Sequence, residues 1–392
     1  MEENPKQEAV ELRKSTLVLL FCLCGVLAVG TGVGIYRAYA NQAEYGELAQ
    51  LKATVEANYY TEVDEASAMQ GAMKGYVAGL NDPYSQYLTD EEYGDFQTNE
   101  AGQTVGIGVT VTPTDEGYLL INSVTENSPA EEAGLQPDDE IVAVNGDDVA
   151  ELGYSAAVDA VRGKENTSVT LTIRRDNTTL DCEVTRKSME VTTAQGRMLE
   201  GNIGYIRISA FRENTPEQFL AVYEQLLSEG AEGLIFDLRD NGGGLVDSLE
   251  TILDPLLPEG EIAIATYRDG HTQTLVQSDA EACDLPMVVL VNENTASAAE
   301  LFTASLRDFG KGEAVGTTTF GKGIMQVTQP MSSGGALTLT VATYQTTKGE
   351  CYHGVGITPD VIVEAGNEPV DYDAPDAASD PQLAKALERI TE

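Results

Sequence analysis

The sequence has few basic residues. Of its 392 residues, 23 are lysine or arginine and 64 are aspartate or glutamate, which gives a formal net charge of −41. Proteins that bind nucleic acid need clustered basic side chains against the phosphates, so this balance excludes a nucleic-acid partner. It also argues against close adhesion to anionic lipid, and it predicts a solvated acidic surface.

Histidine, cysteine and tryptophan are scarce as well. The chain has two histidines, His271 and His353, no tryptophan, and five scattered cysteines. The sequence contains no CxxC pair and no His/Cys cluster that would predict a zinc site. An odd number of scattered cysteines does not predict a disulfide framework. Because the chain has only two histidines, a Ser-His-Asp triad has little support. We therefore expect no metal and no cofactor.

One long uncharged run lies near the start of the chain. Residues 16–36 carry no charge, and about twenty apolar residues are needed to cross a bilayer. Basic residues before this run favour a cytoplasmic tail over residues 1–15. We predict a single-pass protein of the cell membrane, with an uncleaved anchor and its bulk outside the cytoplasm. A signal-peptidase site at Ala38-Tyr39-Ala40 is the alternative.

Residues 41–103 form a predicted helical region. Apolar residues recur at helical spacing from Leu48 to Tyr59, and a second helical pattern over Glu65–Leu80 stops at Asn81-Asp82-Pro83. The apolar stripe on the first helix either packs within the chain or forms a contact in a homodimer.

Residues 104–188 are a predicted strand-rich module. Ser128-Pro129-Ala130, followed by Ala133-Gly134-Leu135, resembles a PDZ domain, with Asp138 where that family usually has glycine. A PDZ domain adds an extended peptide to a sheet edge and holds its C-terminal carboxylate with backbone N–H groups. The resemblance implies that Gly106-Ile107-Gly108 forms this cradle.

Residues 189–364 alternate between predicted strands and helices, which is typical of an α/β domain. An amphipathic helix is predicted over Pro216–Ser228, and buried strands are predicted over Gly233–Leu238 and Val288–Val291. The acidic residues 365–392 form a predicted linker with a short C-terminal helix.

A serine and a lysine carry the chemistry of this domain. Ser297 lies where a strand turns sharply into a helical pattern, and the N–H groups at a helix start favour an alkoxide and an oxyanion. Serine needs a base to become a nucleophile. Because histidine is scarce, Lys322 is the candidate, as in known Ser-Lys pairs. Burial would lower its pKa, and its apolar neighbours are Phe320, Ile324 and Met325.

The segment before this lysine imitates a phosphate-binding loop. Gly316 to Lys322 has the glycine and lysine spacing of such a loop, but Gly323 stands where the loop needs Ser or Thr for magnesium. The residues that follow alternate like a strand and not like a helix. Nucleotide binding is therefore not expected.

Three glycines after Asn241 leave backbone N–H groups free of side-chain obstruction. They either form a tight turn or supply an oxyanion donor, paired with the N–H of Ala298. The donor is Gly243 or Gly244.

Several linked motifs occur in one order along the chain: Gly79 to Leu88, Gly106-Ile107-Gly108, Asp237-Leu238-Arg239, Thr295 to Glu300, Phe320 to Gln326, and Gly356 to Asp360. Together they resemble the carboxy-terminal processing peptidases, serine peptidases of family S41 with an embedded PDZ domain. The resemblance implies a ClpP/crotonase-like α/β core over residues 189–364 with the PDZ domain inserted before it.

The resemblance also implies roles for single residues. Ser297 matches the family's nucleophile, Lys322 its base, and Gln326 a glutamine that orients the lysine. Four residues on in an extended segment, Gln326 would lie on the same face as Lys322. Gly242 replaces a proline that is common in the family, which leaves the oxyanion donor open. Arg162 is the candidate for a PDZ arginine that links peptide binding to activation.

The implied function is that of a membrane-anchored serine endopeptidase. Its PDZ domain would capture the free C-terminus of a protein substrate, and the peptidase core would cleave near that end. The alternative is a catalytically inactive PDZ receptor that binds peptides without cleaving them.

Overall fold

A computed structural model describes residues 45–391, apart from residues 177, 280, 281, 333, 367, 368 and 373. The predicted tail and membrane segment lie outside the described residues. Within those residues, no helix is long and apolar enough to span a bilayer. The chain divides into two compact units between Gly75 and Tyr76.

Two helices form the N-terminal part, α1 over residues 45–58 and α2 over Glu65–Ala78. Both predicted helices are therefore present. The apolar stripe of α1 does not form a closed core, because Leu48 and Leu51 remain 46% and 59% exposed.

Three short elements lead to the strand-rich module: β1 (Gln86–Leu88), α3 (Asp90–Glu100) and β2 (Gln103–Gly106). Helix α3 begins at a capping box, in which Thr89 and Glu92 bond each other's backbone N–H groups. Such a cap fixes the start of a helix that has no buried residue of its own.

The strand-rich module is a six-stranded antiparallel sheet closed by short helices. Its strands are β3 (Val109–Pro113), β4 (Leu119–Val124), β5 (Glu140–Val144), β6 (Asp147–Asp148), β7 (Ser168–Arg175) and β8 (Thr178–Thr185). The helices are α4 (Pro129–Glu132), α5 (Val149–Leu152) and α6 (Tyr154–Val161). The strand order β3-β4-β5-β7-β8 leaves β3 at an edge. The module has its own hydrophobic core, around Ile121, Ile141 and Leu171.

The α/β domain follows, after a strand β9 (Lys187–Glu190) that pairs with β2. Its elements are β10 (Ala194–Leu199), β11 (Ile203–Ile208), α7 (Thr215–Ser228), β12 (Gly233–Asp237), α8 (Val246–Leu253), β13 (Gly260–Tyr267), β14 (Thr272–Ser278), β15 (Met287–Val291), α9 (Ala298–Asp308), β16 (Gly312–Gly316), β17 (Ile324–Pro330), β18 (Ala336–Thr346), β19 (Val361–Ile362) and α10 (Pro381–Ile390).

The central sheet of this domain has the order β10-β11-β12-β15-β16-β19 and is parallel except for β10. Its central strands β11, β12 and β15 are buried at every residue because both faces of the sheet are covered. Phe236 faces the core that contains α7, α8 and α9, whereas Ile235 faces the core that contains α10. The predicted C-terminal helix is thus part of the domain.

A second, antiparallel sheet has the order β1-β18-β13-β14, with β17 also paired to β18. Its Ala263 and Tyr344 belong to the same core as α9, so this sheet packs near the helix that starts at the serine. The N-terminal β1 completes it at one edge, a contribution from outside residues 189–364 that the sequence did not predict.

Candidate active site

Ser297 lies at the predicted turn between a strand and a helix. Strand β15 ends at Val291, and α9 begins at Ala298 with Ser297 as its N-cap. The backbone of Ser297 has φ 57° and ψ −120°, a left-handed conformation that costs a non-glycine residue of order 1–3 kcal/mol. The strain sets the serine side chain at the sharp point of the turn, beside the N–H groups of the first helical turn.

The glycine loop after Asn241 contacts this turn directly. A Cβ on Gly243 would lie 2.7 Å from Ser297 Cβ and 2.8 Å from Ala298 N, and Gly243 has φ +96°, so only glycine fits. Asn241 O also accepts a hydrogen bond from Ala296 N–H at 2.9 Å. The loop and the serine turn are therefore one packed unit.

The three predicted oxyanion donors differ in their hydrogen bonding. Gly243 N–H already donates to Asn241 Oδ1 at 2.8 Å. For the N–H groups of Gly244 and Ala298, no acceptor is found in the described part of the chain. Those two groups are the ones available for an oxyanion in this conformation.

Glu300 links the serine turn to the lysine loop. Its side chain is 0% exposed. Oε2 accepts hydrogen bonds from the N–H groups of Ser297 (2.9 Å) and Lys322 (2.7 Å). Oε1 accepts from Thr319 Oγ1 (2.5 Å) and Gly321 N–H (2.7 Å). One carboxylate thus fixes where the backbones of Ser297 and Lys322 lie relative to each other.

Lys322 is partly buried beside an aromatic ring. Its Nζ lies 4.6 Å from the centroid of the Tyr84 ring, a cation–π distance. Burial lowers the pKa of Lys322, and the negative charges of Asp82 and Glu300 oppose that shift. The predicted neighbour Phe320 does not bury the lysine, because its side chain points outward and is 57% exposed. Within the described residues, no hydrogen bond joins Lys322 Nζ to Ser297 Oγ.

The turn that supplies Tyr84 is held by side-chain hydrogen bonds. Ser85 Oγ donates to Asp82 Oδ2 at 2.6 Å, and Tyr84 N–H donates to Asp82 Oδ1 at 3.0 Å. Thr340 N–H on β18 donates to Ser85 Oγ at 3.0 Å. The stop signal after α2 is therefore also a wall of the site, a role that the sequence did not suggest.

Gln326 does not contact the lysine in this conformation. Its Nε2 donates to Thr340 Oγ1 at 3.1 Å, and the described residues include no hydrogen bond between Gln326 and Lys322. Two features of this segment bear on the predicted shared strand face, and the orienting role of Gln326 stays a prediction. Lys322 precedes the first residue of β17, and the pairing of β17 with β18 shifts register between Met325 and Gln326.

Tyr344, on β18, was not predicted as a site residue. Its Oη lies 2.8 Å from the carbonyl oxygen of Lys322 and 3.3 Å from Ser297 Oγ. A tyrosine in an alternating strand gives no sign in the sequence that its hydroxyl reaches a serine 47 residues away.

A buried ion cluster lies at the end of β12, just before the glycine loop. Asp237 accepts hydrogen bonds from Tyr205 Oη (2.8 Å) and Arg207 Nη1 (3.2 Å). Arg239 Nη2 lies 2.5 Å from Asp237 Oδ2, and its Nη1 lies 2.8 Å from Asp380 Oδ2 at the start of α10. The motif Asp237-Leu238-Arg239 therefore fastens the C-terminal helix to the strand that carries the loop.

The strand-rich module contains a separate groove between β3 and α6. It has a volume of about 500 Å³, and its lining includes Gly106, Ile107, Gly108, Val158 and Arg162. Gly108 has φ +84°, and a Cβ there would lie 2.3 Å from Ser128 Cβ, which requires glycine. The predicted cradle and Arg162 thus lie at one groove beside a free sheet edge.

Models of three families match the chain in order. The N-terminal domain of the activating protease CtpB matches residues 36–92, a PDZ domain matches residues 120–175, and peptidase family S41 matches residues 202–363.

Two curated proteins show how far the similarity extends. The carboxy-terminal processing protease CtpA of Bacillus subtilis (strain 168) is 34% identical over 334 residues, which cover 85% of this chain and 72% of that protein. A CtpA-like serine protease of Staphylococcus aureus (strain MSSA476) is 32% identical over 327 residues, covering 83% and 66%.

One solved structure supports the fold. A crystal structure of an S41 protease from Bacteroides fragilis NCTC 9343 superposes with a TM-score of 0.54 at 18% identity, over 85% of this chain and 91% of that one. At this level of identity, the likeness concerns the fold alone.

Proposed function

The chain belongs to the carboxy-terminal processing peptidases of family S41, and from this premise we propose that it is a serine endopeptidase that uses Ser297 as nucleophile and Lys322 as base. The observation that carries the proposal is the carboxylate of Glu300. It accepts hydrogen bonds from the backbone N–H groups of both residues, at 2.9 and 2.7 Å, which supports a shared role for them.

The proposed reaction begins with proton transfer. Neutral Lys322 accepts the proton of Ser297, and the serine oxygen attacks the carbonyl carbon of a peptide bond. The N–H groups of Gly244 and Ala298 stabilise the oxyanion that forms. Protonated Lys322 then gives its proton to the leaving amine, and water hydrolyses the acyl-enzyme. Because Nζ now faces Tyr84, the lysine side chain must turn toward Ser297 first.

The groove between β3 and α6 is the proposed entry for substrate. An extended peptide would pair with the free edge of β3, and backbone N–H groups at Gly106-Ile107-Gly108 would hold its terminal carboxylate. The substrate would then be a protein with a free and accessible C-terminus. Amidation of that terminus removes the charge, so an amidated peptide should bind the groove more weakly than the free acid.

The decisive experiment compares the wild type with Ser297→Ala and Lys322→Ala on an unstructured protein substrate. We expect both variants to lose cleavage, and the wild-type rate to rise with pH as Lys322 loses its proton. Variants that cleave as fast as the wild type would refute the mechanism. Binding of free C-termini without cleavage of any peptide would instead favour an inactive receptor.

We also propose that the uncharged residues 16–36 anchor the chain in the cell membrane, with the peptidase outside the cytoplasm. The test is protease accessibility of the peptidase domain on intact cells.

The exposed stripe of α1, including Leu48 and Leu51, supports a homodimer through the N-terminal helices. Leu51→Glu should convert such a dimer to monomers in analytical ultracentrifugation.

A further inference from the structure

The Tyr344 side chain is held firmly between the two proposed catalytic residues. Its ring belongs to the main hydrophobic core and is 3% exposed. Its backbone N–H donates to Gly323 O at 3.1 Å, directly after the lysine. Ring and backbone together leave the phenol oxygen little freedom to move away from Ser297.

The hydrogen bonds of this phenol can be assigned from their lengths. A tyrosine hydroxyl carries one proton and can also accept. The contact of Oη with the carbonyl of Lys322 is 2.8 Å, and a carbonyl oxygen only accepts, so the proton of Tyr344 lies there. In the 3.3 Å contact with Ser297 Oγ, the serine hydroxyl is therefore the donor and Tyr344 the acceptor.

This contact matters because Ser297 has little else to orient it. Among the described residues, Tyr344 is the only side chain within hydrogen-bonding distance of Ser297 Oγ. Lys322 Nζ lies against the ring of Tyr84 instead. Tyr344 is therefore the side chain placed to orient the serine hydroxyl.

We propose that Tyr344 is a third catalytic residue, which orients Ser297 Oγ at rest and donates its own hydrogen bond to that oxygen during attack. The proposal rests on the proposed function of Ser297 and Lys322. As the serine proton passes to Lys322 Nζ, the O–H of Tyr344 turns from the carbonyl of Lys322 to the serine oxygen, which becomes negative. The phenol keeps its proton throughout, so it changes its acceptor and nothing else.

The environment of the phenol agrees with this role. Burial raises the pKa of Tyr344, which keeps the hydroxyl protonated over the pH range in which Lys322, whose pKa is lowered, becomes neutral. A hydroxyl that remains neutral can donate at every pH at which the base is ready.

Tyr344→Phe tests the proposal, and Tyr352→Phe is its matched control. Tyr352 packs edge-on against Tyr344, with ring centroids 6.0 Å apart, and in the described part of the chain its buried hydroxyl bonds neither Ser297 nor Lys322. Each change removes one buried phenol oxygen from the same core. For the full chain, we would measure kcat and KM on an unstructured peptide, the rate at which a fluorophosphonate labels Ser297, and the thermal midpoint.

We expect Tyr344→Phe to lower kcat and the labelling rate about 100-fold, the effect of losing one donor to a developing charge, with KM within about twofold. Tyr352→Phe should keep both rates. A Tyr344→Phe enzyme within about threefold of the wild type in both rates would overturn the role of Tyr344. Equal losses of rate and thermal midpoint in both variants would overturn it as well, because packing would then explain them.

The labelling separates this proposal from the one beneath it. If the wild type cleaves peptide and Ser297→Ala does not, the proposed function stands, whatever Tyr344→Phe shows. If the wild type neither cleaves nor reacts with the probe at Ser297, both proposals fail together.

Discussion

Two carboxylates of the peptidase core, Glu300 and Asp237, are fully buried, and they are held in different ways. Glu300 accepts from three backbone N–H groups and one threonine hydroxyl, all of them neutral. Asp237 is paired with the guanidinium groups of Arg207 and Arg239 and with one phenol. The first network joins two loops of the site, and the second joins a strand end to the C-terminal helix.

The difference shows what each kind of network can do. Backbone N–H groups have fixed positions, so they hold Glu300 and the two loops in precise register without a cation near Lys322. The charge of Glu300 therefore still acts on the lysine and opposes the lowering of its pKa. Around Asp237, the two adjacent arginines neutralise the charge of the carboxylate. This cluster can therefore connect distant segments of the chain without a buried, unpaired charge.

The largest effect on stability should follow from Arg239→Met, which breaks the buried ion cluster around Asp237. It leaves Asp380 without its ionic partner and removes the three side-chain hydrogen bonds from Arg239 to Asp237. Loss of one partner from a buried ion pair costs about 3–5 kcal/mol. Denaturant unfolding should show a loss of that size in the free energy of unfolding.

Lys187→Met provides the comparison for that loss. The pair Lys187–Glu132 is exposed, at 45% and 62%, and exposed pairs contribute about 0–1 kcal/mol. If Arg239→Met destabilises the protein no more than Lys187→Met, the ion cluster around Asp237 does not stabilise the fold.

Glu300→Gln should cost activity beyond its loss of stability. A glutamine has one acceptor oxygen where the carboxylate has two, so two of the four donors lose their partner, at about 1–3 kcal/mol each. The serine turn and lysine loop would then shift relative to each other, and a misplacement of about 1 Å can cost 100-fold in rate. Kinetics and unfolding measured on the same preparation would show this split. An unchanged kcat would mean that Glu300 does not set the register.

The smallest effect concerns pH and tests the charge argument. Asp82 favours the protonated form of Lys322 and so raises its pKa against the effect of burial. Asp82→Asn removes that charge, the pKa of Lys322 falls further, and the rise of activity with pH should move to lower pH. The pH dependence of kcat would show the shift.

Asp115→Asn, at an exposed hairpin of the PDZ module, is the control and should leave the pH profile of kcat unchanged. A shift of this profile toward higher pH in Asp82→Asn would contradict the argument.

The sequence predicted those parts of the site that depend on one local pattern. Ser297 was singled out because a buried strand, a polar turn and a helical pattern follow one another, and the strand predicted over Val288–Val291 is observed over Met287–Val291. Lys322 was found because few other bases were available. These signals lie within a few residues of the group that they identify.

The missed parts depend on contacts between distant residues. Tyr344 and Tyr84 meet the site only after β18 and the turn at Asp82 have packed beside it. Glu300 was visible as part of a motif, but its four donors come from two loops that the sequence does not show to be neighbours. The register shift between Met325 and Gln326 is likewise a feature that no alternation of residues reveals.

The pairing of β1 with β18 has a consequence for how the enzyme is made. Residues 86–88 pair with residues 336–338, and the hydrogen bond from Thr340 to Ser85 joins two residues that are 255 positions apart in the chain. After Ser85, a ribosome adds 255 residues before it reaches Thr340, and such distant contacts form late in folding. The wall beside Lys322 is thus among the last structures to assemble. A nascent chain that has not yet reached Thr340 therefore lacks this wall of the candidate site.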